Sequence, residues 1–251
     1  RVDEATGLVG TISTQATGGA VLANFSGARM PFNSLNRVPL TYLNLPTVGT
    51  PTRAFYTVAF PAKEQDPVRD RSTYPQGDCV ASIAMSGEGL ITLSLRLADG
   101  TKQIVSPRLR ADGTIPVYAP LYGRAGVFVG ELALENLPDT DVSGADLVWI
   151  RPALPLSRYY PQGWQSGITV DAIGAKYAKP SSADIGQGVS NPNQGNSTIT
   201  FSDGVLSVPV SRSLNLNSTT AAVRAITAPG KFYQIALNAT TGGFTGTFAH
   251  D

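Results

Sequence analysis

The sequence predicts an all-β chain of antiparallel meanders that close into barrel- or sandwich-like units, with at most one short helix. Three observations lead there. The composition is 42% hydrophobic and only 15% charged, with 26 Gly and 18 Pro in 251 residues, so turns are frequent and helix-forming segments few. Residues 90–97 alternate, with Ile91, Leu93, Leu95 and Leu97 on one face and Thr92, Ser94 and Arg96 on the other, the period of a half-buried strand. The tetrapeptide Ala98-Asp99-Gly100-Thr101 returns as Ala111-Asp112-Gly113-Thr114. Asp-Gly predicts a tight hairpin at each, because Asp tolerates and Gly favours the positive φ of primed turns.

Taken in order, residues 7–12 and 19–28 read as the first two strands. Residues 29–51 are irregular, since Pro31, Pro39, Pro46 and Pro51 break any long strand. Residues 54–60 are aromatic and β-branched, hence a strand; residues 63–71 carry dense charge of both signs and predict an exposed loop. Residues 79–85 alternate and place Cys79, the one cysteine, as a small buried thiol that cannot form an internal disulfide. Residues 126–134 and 146–151 are strands joined by 135–145.

Residues 152–161 hold Pro152, Pro155 and Pro161 and mark a boundary. The expected division is a β-rich unit over 1–155, with 1–51 ending a preceding repeat, and a second β-rich unit over 156–251, incomplete at its C-terminus. Within the second, 167–172 is a strand and 179–196 a long polar loop. Residues 197–201 and 205–210 predict a hairpin about Asp203-Gly204, residues 218–227 the short helix, and 233–238 with 243–249 a last hairpin.

Short repeats run through this pattern. Tyr74-Pro75-Gln76-Gly77 recurs as Tyr160-Pro161-Gln162-Gly163, each ahead of a strand. A second motif, with Gly between two large apolar residues, occurs at Leu8-Val9-Gly10-Thr11-Ile12, Phe128-Val129-Gly130-Glu131-Leu132 and Phe244-Thr245-Gly246-Thr247-Phe248. A core-facing glycine lets a strand bend, or leaves room for a large side chain from across the interior. The two ends also match each other, which predicts one link of a longer repetitive polypeptide.

These residues, from the run LADGT through ADGTIPVYAPLYGRAGVFVGELAL, DVSGADLVWIRP and YYPQGW to LNATTGGFTGTF, resemble a module of large, repetitive secreted or surface proteins of Verrucomicrobia-like bacteria. The resemblance covers residues 77 onward. It implies an all-β repeat in an exported setting and supplies no catalytic residues.

Little else points to chemistry. The single histidine, His250, beside Asp251, leaves a hydrolase triad without a placed base and a zinc site without ligands. A net charge of +1 without a basic cluster argues against a nucleic-acid partner, and no run of 18 apolar residues predicts a membrane span. The chain starts at Arg1, as expected of a processed or excised piece. Asp139, Asp141, Ser143 and Asp146 alternate like the start of a calcium loop, but Ile150 stands where the bidentate acid belongs, so a polar turn is the first reading and calcium the second. Glu88, Glu131 and Glu135 read as solvated strand residues before paired glycosidase carboxylates. Tyr118, Tyr122, Trp149, Tyr159, Tyr160 and Trp164 cluster in sequence; they fit core packing, and the alternative is stacking on the sugar rings of a polysaccharide.

The sequence therefore leads to a non-enzymatic structural or adhesive module, secreted or at the cell surface, partnered by neighbouring repeats or other copies. A carbohydrate-binding module is the alternative, and a glycan-active enzyme ranks third. No cofactor is expected beyond that calcium.

Overall fold

The computed structural model of the chain describes residues 2–3, 7–13, 20–27, 30–43, 53–61, 74–177, 197–202, 207–216, 223–225, 233–238 and 243–248. Its strands, in chain order, are β1 (Val2–Asp3), β2 (Gly7–Ser13), β3 (Val21–Gly27), β4 (Arg53–Phe60), β5 (Cys79–Ser86), β6 (Ile91–Arg96), β7 (Lys102–Val105) and β8 (Thr114–Leu121). They continue as β9 (Gly126–Leu134), β10 (Val142–Arg151), β11 (Trp164–Lys176), β12 (Ser197–Phe201), β13 (Val210–Leu216), β14 (Val223–Ala225), β15 (Tyr233–Leu237) and β16 (Phe244–Phe248). Single 3-10 turns lie at Leu40–Tyr42 and Tyr122–Arg124, and among the described residues no helix reaches seven residues or could cross a membrane.

Eight strands form one antiparallel sheet in the order β7-β6-β5-β4-β11-β10-β9-β8, curled into a nearly closed barrel. Around the barrel, every strand neighbours its successor in sequence, and the first and last, β4 and β11, pair with each other. The fold is therefore an up-and-down barrel, a nearly closed form of the expected meander. One seam stays open: β7 and β8 lie side by side without a ladder between them. Three small sheets, β1-β2-β3, β12-β13-β14 and β15-β16, make up the remaining strands.

The barrel interior follows from alternation. Ala54, Tyr56, Val58 and Phe60 of β4 point inward, as do Cys79, Ala81, Ile83 and Met85 of β5 and Ile91, Leu93 and Leu95 of β6. Phe60 and Phe128 meet edge to face at 5.2 Å inside it, and both are fully buried, so the interior is a packed core. At Gly130 an added Cβ would lie 2.6 Å from Leu147 Cγ. Leu147 of β10, beside a register shift between Ser143 and Val148, occupies the space the missing side chain leaves.

Both Asp-Gly turns form, though not as primed turns. Gly100 N–H donates to Leu97 O at 2.9 Å and Leu97 N–H to Thr101 O at 2.9 Å; Gly113 and Arg110 repeat the pattern with Arg110 O and Thr114 O. The glycines alone take positive φ, 86° and 84°, while each Asp side chain accepts a backbone N–H two residues on. These are three-residue loops with a glycine bulge. At the second, the strands part beyond Thr114 and the barrel seam begins.

Several expected boundaries move. The division at 155/156 runs through the barrel, because β11 pairs with both β10 and β4. Of the irregular segment 29–51, residues 30–43 belong to the barrel as well, and the rest lie outside the described residues: Val38 and Leu43 are buried core residues, Val38 N–H donates to Gly87 O at 2.9 Å, and Lys176 Nζ donates to Thr41 O at 2.7 Å. Residues 30–43 thus cover one end of the barrel. Where the short helix is expected, Val223–Ala225 is a strand paired with β13, since β-branched Val223 gains a ladder there. The hairpin partner of β12 begins only at Val210. Residues 63–71, 179–196, 203–206 and His250 lie outside the described residues.

Gly130→Val forces two branched methyls onto Leu147. It is expected to cost about 1–3 kcal/mol or more of unfolding free energy, read by urea denaturation, whereas Val129→Thr on the outer face stays within about 0.5 kcal/mol.

Candidate functional site

The polar residues best placed to do chemistry meet at the barrel end opposite residues 30–43. Arg151 closes β10, and alternation from Leu147 and Trp149 carries its side chain inward, where it is 1% exposed. A charge this deep persists only if its hydrogen-bonding capacity is met. Its Nε donates to Asp99 Oδ2 at 2.9 Å, Nη2 to Ser157 Oγ at 3.1 Å and Tyr159 O at 3.0 Å, and Nη1 to Tyr160 O. The guanidinium also lies 5.5 Å from the centre of the Tyr122 ring and 5.6 Å from that of Trp164.

Asp99 is equally well partnered. Its Oδ2 accepts from Arg151 and, at 2.7 Å, from Tyr122 Oη–H; its Oδ1 accepts from Thr101 N–H at 2.9 Å. The Tyr122 oxygen in turn accepts from Trp149 Nε1 at 3.2 Å. Burial pushes the Asp99 carboxyl upward, but the bonds from Tyr122, Arg151 and Thr101 outweigh it and hold the carboxyl below its ordinary range. The same burial, with Asp99 beside it, raises the Tyr122 phenol.

The two Tyr-Pro-Gln-Gly copies arrive at this end together. They precede β5 and β11, which flank β4 and start at the same side of the barrel. Gln76 N–H of the first copy donates to Tyr160 Oη of the second at 3.0 Å. Gly163 (φ 63°) packs so tightly under the strand that a Cβ there would strike the carbonyls of Arg151 and Pro152.

The six aromatic candidates therefore divide. Tyr122, Trp149, Tyr160 and Trp164 surround Arg151; Trp149 and Trp164 are 0% and 6% exposed and meet edge to face at 4.5 Å with planes 83° apart. They are not a flat strip for sugars, because their faces are spent on each other and on the guanidinium. Trp164 Nε1 is buried without a partner. Tyr118 and Tyr159 are exposed; Tyr159 lies beneath Arg158, its ring 6.4 Å from that of Tyr160, and only its backbone carbonyl reaches Arg151.

The acidic run is absorbed by the sheet. Asp141 Oδ2 accepts from Lys176 N–H at 2.7 Å, Ser143 is paired in the ladder with Ile173, and Asp146 (φ 53°) gives its N–H to Asp171 at 3.1 Å. Asp139 lies in the exposed turn before β10. Among the described residues no group of three or more His, Cys, Asp or Glu side chains converges. Glu131 points outward to Arg110 at 2.8 Å. Cys79 is buried, and burial pushes its thiol up to about 12.

Sequence reasoning missed Arg151 and Asp99. The first was legible, since Arg151 continues the inward face of Leu147 and Trp149. The second was not, because Asp112 sits in an identical tetrapeptide and stays exposed.

Asp99→Ala strands a buried guanidinium and is expected to cost about 3–5 kcal/mol, while Asp112→Ala costs under about 1 kcal/mol. With its folded pKa depressed, Asp99 contributes stability that is present above about pH 4 and lost as pH falls through the folded value. Asp99→Asn should flatten the acid limb of a denaturation-versus-pH series. Cys79 should resist a thiol reagent at pH 8 in the native protein and react at once in denaturant.

In comparisons with known proteins, no family model, no curated protein and no solved structure matches this chain.

Proposed function

We propose that the chain is a non-enzymatic structural or adhesive β module of a longer exported, repetitive protein. One observation carries the reading: at the barrel end Asp99, Tyr122 and Trp149 spend their polar groups on one another and on the buried Arg151, a network that stabilises rather than presents them. The repeats in the sequence and its likeness to surface modules of Verrucomicrobia-like bacteria support the exported, repetitive setting. Neighbouring repeats or other copies are the partners this reading names.

A carbohydrate-binding role is the second reading, and it rests on Tyr118 and Tyr159, residues 67% and 54% exposed. Two measurements separate them. An antibody against the chain should label intact source cells, and its antigen should be a polypeptide with several such units; a cytosolic antigen of this length alone would end the first reading. Saturable retention on an insoluble polysaccharide, abolished in folded Tyr118→Ala or Tyr159→Ala, would replace it with the second.

A further inference from the structure

The outer face of the barrel carries a feature that stability does not explain. Because β11, β4, β5, β6 and β7 pair in register, their outward residues form rows across the strands. One row runs Ile173, Ala59, Val80, Arg96, Lys102, each directly opposite the next. Three apolar residues are followed by two cations.

Like charges directly opposite on neighbouring strands repel. Neither Arg96 nor Lys102 is in an ion pair with any described residue. The adjoining row, Ala175, Thr57, Ser82, Ser94, Ile104, is small until its last member. Beyond it stands Phe55. The small row is thus a trough, and the residues of the two rows, together with Phe244 of β16, line a groove of about 810 Å³. Ile104, Ile173, Val80 and Phe244 are 63%, 52%, 47% and 65% exposed, an unusual concentration of apolar surface.

From this geometry we infer that the groove binds a long-chain carboxylate, its tail lying in the trough against the side chains of Ile173, Ala59 and Val80 and its head on Arg96 and Lys102. Four interstrand spacings give a trough of roughly 19 Å. The volume is that of a small-molecule site, mostly apolar with a few polar groups that fix orientation. Charge sets the direction: the cations lie at the β6–β7 side, while Asp139 lines the groove with β11 and repels a carboxylate there. The trough is one side-chain row wide, which admits a single extended chain and excludes a bilayer surface. The Arg96 fork and the Lys102 ammonium supply charge-assisted bonds to the two head-group oxygens.

The test is calorimetric titration of the full chain with palmitate below its micelle concentration. One-to-one saturable binding is expected, weakened at least about tenfold both for methyl palmitate and for the Arg96→Glu/Lys102→Glu variant. Val80→Asp should abolish it. These side chains point outward, so circular dichroism and melting temperature should match the unaltered chain; if the charge reversal disturbs the fold, Arg96→Gln/Lys102→Gln replaces it. No saturable uptake would overturn the inference, as would equal affinity for acid and ester, charge variants that bind normally, or a short acidic peptide competing as well as palmitate. The outcome is independent of whether the parent protein is exported or repetitive.

Discussion

An ion pair taken out of water stabilises a fold only where the remaining donors and acceptors around it are also met. Arg151 and Asp99 satisfy that condition through groups from five stretches of chain: the β6–β7 turn, the 3-10 turn after β8, strand β10, the loop before β11 and, through Tyr160, the loop before β5. The pair cannot form unless those stretches are in place. Its value lies less in net energy than in making a loosely specified barrel end into one arrangement.

That role matters because of where the barrel fails to close. Seven neighbouring strand pairs are joined by hydrogen-bonded ladders, and the eighth, between β7 and β8, is not. An open seam exposes two edges, a hazard for pairing with other chains. Here it is held at its two ends. The Arg110 to Thr114 turn joins the strands at one, and Tyr122 bonded to Asp99 joins them at the other. The opposite mouth is stoppered by residues 30–43, whose Val38 and Leu43 complete the core.

With the interior filled and both mouths occupied, the barrel has only its surface to offer a partner. Outward positions along β4, β5 and β6 are mostly Ala, Ser and Thr, which leave the sheet flat and low, so the few larger residues stand out in relief. The same period-two rule that builds the core therefore also writes the pattern of the outer face.

Which residues face inward, and roughly where the chain turns, is written in short stretches of the chain. Alternation is a local property: Ile91 to Leu97, Cys79 to Met85 and Leu147 to Arg151 each declare a face within a few residues, and Asp-Gly declares a bend. Tertiary structure alone decided what those faces meet. Nothing in residues 98–101 and 111–114 says that Asp99 will be buried against Arg151 and Asp112 left in water, because the difference lies in strands dozens of residues away. Nor could the prolines after residue 152 reveal that the barrel continues past them, since β11 closes it by pairing with β4. The contact between Thr41 and Lys176 spans 135 residues. Such pairings depend on the summed burial of a whole sheet, and no short window of sequence contains that sum.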